Sequence, residues 1–135
     1  MITVSLCMIV KNEERTLRRC LDSVRGLMDE IIIADTGSTD RTVEIARDCG
    51  AAVCTFPWCD DFAAARNFAF SKATMQYCMW LDADDVLEPA DREAFRKLKE
   101  TLDPDTDVVM LRYHTGFDES GKPAFSYWRE RLLRR

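Results

Sequence analysis

Three carboxylates, Asp82, Asp84 and Asp85, crowd the segment Leu81-Asp82-Ala83-Asp84-Asp85. Two carboxylates about 5 Å apart repel by roughly 3 kcal/mol at an effective dielectric near 20. No lysine or arginine stands beside them in sequence, so the cluster must be hydrated, protonated or bound to a cation. Oxygen ligands of this kind suit Mg²⁺ or Mn²⁺, which keep waters and take phosphate oxygens as further ligands. The chemistry expected is a divalent ion that bridges protein carboxylate to a diphosphate. The alternative is helix capping by Asp84 or Asp85 ahead of Pro89, which would explain one aspartate but not three.

The elements that position these acids alternate along the chain. Ile2 to Val10 is a nearly continuous apolar run and reads as a strand buried on both faces. Leu17, Cys20, Leu21 and Val24 then recur at helical spacing, with Gly26 as a stop. Glu30 to Asp35 is a second strand, followed by the turn Thr36-Gly37-Ser38. Ser38, Thr39 or Asp40 caps a helix that Gly50 ends. Ala51 to Phe56 is a third strand, and Phe62, Ala65, Phe68 and Ala69 mark the next helix. Tyr77 to Leu81 is a fourth strand running straight into the acidic segment. Pro89 opens a helix whose apolar face carries Phe95, Leu98 and Leu102. Val108 to Tyr113 is a fifth strand, and Ala124 to Trp128 returns as a hairpin after the turn Asp118-Glu119-Ser120-Gly121.

This order predicts an α/β fold: a Rossmann-like, mostly parallel sheet flanked by helices, with a C-terminal β-hairpin. Ligands bind such sheets beyond the carboxyl ends of the strands. The residues there are Lys11-Asn12-Glu13, Asp35, Trp58 to Asp61 and Asp82 to Asp85. With no repeat and no linker, residues 1–135 read as a single domain.

Composition narrows the function. The 135 residues are 47% hydrophobic and 32% charged, which excludes a disordered or low-complexity chain. Nineteen basic against 24 acidic residues give a net charge of −5, which argues against a nucleic-acid binder. Apolar runs are too short for a transmembrane segment, and Lys11 follows the first of them where a signal peptide would have its basic residue before. The six cysteines form no C-x-x-C pair and His114 is the single histidine, which disfavours a zinc site. Reduced, mostly buried thiols in a cytoplasmic protein are expected, with Cys59 the exposed one.

Four motifs occur in order: Val4 to Glu14 with Lys11-Asn12-Glu13-Glu14, Ile33-Ala34-Asp35-Thr36-Gly37-Ser38-Thr39-Asp40-Arg41-Thr42, Ala65-Arg66-Asn67-Phe68-Ala69, and Leu81-Asp82-Ala83-Asp84-Asp85. Together they resemble the nucleotide-sugar-binding half of a family 2 glycosyltransferase of the GT-A fold. The resemblance implies a metal-dependent, inverting transferase that takes a nucleotide-diphosphate sugar, with UDP expected ahead of GDP or dTDP. Donor contacts are implied for Val10, Lys11, Asn12, Glu13, Asp35, Arg66, Asp82, Ala83 and Asp84. Asp35 would accept a hydrogen bond from the base, and Arg66 would reach the base or diphosphate. Asp84 and Asp82 would be the ligands of Mn²⁺ or Mg²⁺. Ile9 and Lys11 stand where many members have proline and tyrosine; Lys11 offers a methylene stem to the base or an ammonium to phosphate.

The residues also admit plainer readings. Asp35 caps the Gly37 turn, Arg66 pairs with Asp60 or Asp61, and Trp58 and Trp80 belong to the core. Asp82-Ala83-Asp84-Asp85-Val86-Leu87 also matches the nucleophile loop of haloacid-dehalogenase-type phosphatases by letter, with Asp82 as nucleophile. That loop normally follows a first strand, and here three precede it. A non-catalytic nucleotide-sugar-binding module is the third alternative. The acceptor, whether glycan, lipid-linked or protein, is not legible. The general base is expected beyond Arg135, in an acceptor-binding part, which would leave Tyr127, Trp128, Leu132 and Leu133 exposed and favour a homodimer through the segment after Gly121.

Overall fold

A computed structural model describes residues 1–135. β1 (Val4–Val10) lies at the centre of the sheet, and both of its faces are apolar because both are covered. The strand order is β3-β2-β1-β4-β6-β5. β2 (Glu30–Asp35), β3 (Ala52–Thr55) and β4 (Tyr77–Trp80) run parallel to β1. Val10 pairs with Asp35, so β1 and β2 end level, and the acidic segment leaves β4 at the same carboxyl edge.

Helices cover both faces. Val4, Leu6, Met8 and Val10 pack with Leu17 and Cys20 of α1 (Leu17–Ser23), Ile45 of α2 (Thr42–Asp48) and a later helix through Phe95. Cys7, Ile32 and Ala34 face the other way, toward Ala69 and Phe68 of α3 (Phe62–Ser71). The later helix, α4 (Pro89–Thr101), starts with Pro89 in its first turn as expected. Its cap residue is Glu88, so neither Asp84 nor Asp85 caps it.

The largest departure from the sequence reading is at the C-terminal hairpin. β5 (Val108–Phe117) has 10 residues and β6 (Pro123–Arg134) has 12, both well beyond the expected bounds, and β6 enters the sheet between β4 and β5. It runs antiparallel to β4, pairing Leu132 with Met79 and Leu133 with Cys78. Leu132 is therefore fully buried and Leu133 half-buried, contrary to the expectation that both lack neighbours. Tyr127 and Trp128 do lie exposed, on the part of the hairpin that projects past β4.

One further expectation changes. Trp58 is 37% exposed beside Phe62, and Trp80 is half-buried among arginines, so neither belongs to the core. All six cysteines are free, with Cys59 exposed and Cys7, Cys20 and Cys78 buried. No helix is long and apolar enough to cross a membrane.

Candidate functional site

The first two motifs are one structure. Asn12 takes a left-handed backbone (φ +52°), a conformation asparagine tolerates better than most residues. Its N–H donates to Ser38 Oγ at 2.9 Å, and its Oδ1 accepts from the Thr39 N–H at 2.8 Å. The Glu13 N–H donates to Thr42 Oγ1 at 2.7 Å. The loop after β1 is thereby clasped to the turn after β2, while Val10 is buried and Lys11 points into solvent.

Asp35 is 6% exposed and organises that turn. Its Oδ2 accepts from the N–H groups of Gly37 (3.2 Å) and Ser38 (3.0 Å), and its Oδ1 accepts the Ser38 hydroxyl. Gly37 has φ +123°, which only glycine adopts without strain. The capping role is thus realised. Two carboxylate oxygens offer about four acceptor positions, so capacity for one more donor remains.

Arg66 lies on α3 and makes no ion pair with Asp60 or Asp61. Asp61 caps α3 by accepting from the Ala64 N–H at 3.1 Å, and Asp60 accepts from Trp58 Nε1 at 2.9 Å. Arg66 instead stacks on Trp80, its guanidinium carbon 4.3 Å from the ring centroid. Burial lowers its pKa; Asp82 opposes this, while Arg131 and Arg129 add to it. Arg66, Trp80, Arg129 and Glu130 line a cavity of about 350 Å³.

The acidic segment is a closed turn. The Asp85 N–H donates to the Asp82 carbonyl at 2.9 Å, and the Asp82 N–H donates back to Asp85 Oδ2 at 2.8 Å. Sequence showed no cation nearby, but the fold supplies one. Arg131 Nη1 reaches Asp85 Oδ2 at 3.0 Å and the Trp80 carbonyl at 3.2 Å, and the two residues are 46 positions apart. Asp85 is therefore neutralised from within. The Asp82 and Asp84 carboxylates accept no hydrogen bond from the protein, while Ala83 between them is buried. Asp84 is exposed and Asp82 half-buried. Burial raises the Asp82 pKa, Asp85 and Asp84 raise it further, and Arg131 and Arg66 pull it down.

This donor set fits a hard divalent ion that keeps waters and phosphate oxygens. No three His, Cys, Asp or Glu side chains gather into one metal-holding group, so an ion at this edge would draw on Asp82 and Asp84 together with water and phosphate oxygens. Two carboxylates without hydrogen-bond partners, one penalised by burial, would be relieved by a cation of the Mg²⁺ or Mn²⁺ type. From Asp84 a groove of about 1060 Å³ continues past Val86 to Tyr113 and His114 of β5.

A parallel β-sheet with turns and acids gathered at its carboxyl edge, closed by an antiparallel β6, is a GT-A architecture. Residues 5–134 match the model of Glycosyl transferase family 2, and the chain belongs to that family. It is 48% identical over 103 residues to a TPR repeat-containing protein of Synechococcus elongatus, covering 76% of this chain and 25% of that protein. It is 32% identical over 109 residues to the SPbeta prophage-derived glycosyltransferase SunS of Bacillus subtilis, covering 75% of this chain and 24% of that one. Among solved structures it is similar to glucosyl-3-phosphoglycerate synthase of Mycobacterium tuberculosis in complex with Mn²⁺, UDP and phosphoglyceric acid. There the identity is 31% and the TM-score 0.51, over 63% of this chain and 34% of that one. The chain thus spans about a quarter of the length of these curated relatives.

Proposed function

We propose that this chain is the donor-binding part of a glycosyltransferase that takes a UDP-linked sugar with Mn²⁺ or Mg²⁺ and transfers it with inversion. The observation that carries this reading is the pair Asp82 and Asp84, left without protein partners at the sheet edge where Asp35 and the Lys11-Asn12-Glu13 loop also end. The structure with Mn²⁺ and UDP bound at 31% identity supports the choice of ion and base.

Each residue then has a task. Asp35, held by three donors, presents a fixed acceptor to the base N–H. Arg66 contributes positive charge from its seat on Trp80, and Lys11 adds a mobile ammonium. Asp84 and Asp82 hold the ion, which when bound neutralises charge on the departing diphosphate. The acceptor lies along the groove that starts at Asp84. None of the residues gathered here is given the part of general base, and a chain lacking one forfeits roughly 10²–10⁴ in rate. The site works in the cytoplasm on this reading.

Calorimetry with UDP tests it. Binding is expected to be much tighter in Mn²⁺ than in EDTA, and Asp84→Asn is expected to remove most of that difference. Equal affinity in the two buffers would overturn the ion-bridged reading.

A further inference from the structure

We infer that Arg131 is a positioning residue for the divalent-ion site, acting through Asp85 to fix the segment that carries Asp82 and Asp84. This rests on the ion-binding reading above.

The first observation is backbone geometry. Val109 pairs with Leu132 and Met110 with Glu130, so Arg131 is the extra residue of a β-bulge in β6. Bulges re-aim a side chain and concentrate beside active sites. Arg131 has no partner on β5, and on the other side of β6 the register that pairs Leu132 with Met79 brings it beside Trp80 at the end of β4.

The second observation is what the side chain meets there. Arg131 is 4% exposed, and its guanidinium carbon stands 3.9 Å from the Trp80 ring centroid. One nitrogen is shared between the Trp80 carbonyl and Asp85 Oδ2. That same carboxylate oxygen accepts the Asp82 N–H. A single oxygen therefore joins β6 to the backbone of the proposed ion ligand.

A buried ion pair is weak evidence of stabilisation, because desolvation offsets most of the attraction and an apolar replacement often packs as well. Its use here is geometric. Without Arg131, Asp85 would be a third uncompensated acid beside Asp82 and Asp84. Repulsion from its neighbours would rotate it away from the Asp82 N–H, and the turn would lose its closure. Arginine suits the place because a planar guanidinium stacks on Trp80 while donating in its own plane. Trp80 carries Arg66 as well, so the same ring links the positioning pair to the donor-facing arginine.

The test measures UDP affinity in Mn²⁺ and in EDTA for wild type, Arg131→Lys, Arg131→Met and the charge-balanced double variant Arg131→Met/Asp85→Ala, which also removes the acceptor of the Asp82 N–H. Circular dichroism establishes that each is folded. The double variant leaves no buried charge unpaired, so it keeps the test open if Arg131→Met does not fold. Loss of a residue that orients a metal ligand typically costs roughly 10–100-fold in metal affinity. The Mn²⁺-dependent gain in UDP affinity is expected to fall by about that factor in Arg131→Met and in the double variant. Arg131→Lys is expected to recover part of it, and affinity in EDTA to stay within about twofold of wild type. A folded double variant that keeps the full Mn²⁺ gain, or variants that lose affinity equally in both buffers, would overturn the positioning role. Absence of any Mn²⁺ gain in wild type would instead overturn the ion-binding reading, and this inference with it.

Discussion

Leu132→Ala tests whether β6 is an interior strand of the sheet or a peripheral flap. Leu132 is fully buried, pairs with Met79 across β4 and Val109 across β5, and belongs to the cluster built on β1. Truncating a buried leucine removes its transfer free energy and leaves a cavity, at about 2–5 kcal/mol. Strands flank Leu132 on both sides and leave little room for collapse, so about 3 kcal/mol is expected. At about 2.1 cal/mol/K per residue, 135 residues carry an unfolding entropy of roughly 0.28 kcal/mol/K. The melting temperature should therefore fall by about 10 °C. Trp128→Ala is the matched control, since Trp128 is larger but 61% exposed on the projecting part of the hairpin. It should cost less than about 0.5 kcal/mol. Thermal and urea unfolding followed by circular dichroism give both numbers. Equal, small effects at the two positions would refute the placement of β6.

Three other outcomes are expected. Asp82→Asn should raise the melting temperature in EDTA at neutral pH: the folded-state pKa is raised, so ionised Asp82 opposes folding and a neutral amide relieves it. The same variant should lose the Mn²⁺ gain in UDP affinity, and a lowered melting temperature in EDTA would contradict the burial argument. Asp29 is pushed up by burial, but its bonds from Lys99 Nζ (2.8 Å) and the Val4 N–H (2.9 Å) outweigh this and hold it below the usual carboxylate range. That stability is present above a pH of about 4 and is lost as pH falls through the lowered value, so Lys99→Met should flatten the acid limb of a urea-midpoint profile. Finally, Phe125 (66% exposed) and Trp128 put exposed apolar surface on the projecting part of the hairpin, and self-association there should appear in small-angle scattering as mass rising with concentration. A constant monomer mass at high concentration would remove the homodimer proposal.

The order and type of the first four strands were legible because each is a short apolar run closed by turn chemistry. β1 reads as doubly buried from Val4 to Val10, and Gly37 and Gly50 mark places where the backbone needs positive φ. The clustering of Asp35, Asn12 and Asp82 at one sheet edge followed from parallel topology alone. What could not be read is what the fold brings in from a distance. Arg131 looks like one basic residue among several in Arg129-Glu130-Arg131, and only the pairing of β6 with β4 brings it to Asp85. Trp80 ends a strand of otherwise buried residues, which hides that its ring faces the arginines of α3 and β6. The insertion of β6 between β4 and β5 is a long-range pairing with no local signal, so the strand was cut short and its buried leucine misplaced. Alternative jobs for the same residue type are also invisible in sequence: Asp85 and Asp61 are spent on the fold, whereas Asp84, next to Asp85, is not.

The most direct test of the central claim is a crystal of this chain soaked with UDP and MnCl₂, with anomalous diffraction collected to locate manganese. The expected result is a single strong manganese peak against the Asp84 carboxylate, bridged to the UDP phosphates, with the uracil ring against Asp35. Ordered UDP with no manganese at Asp84, or a soak in which neither binds at the carboxyl edge of β1, β2 and β4, would contradict the account.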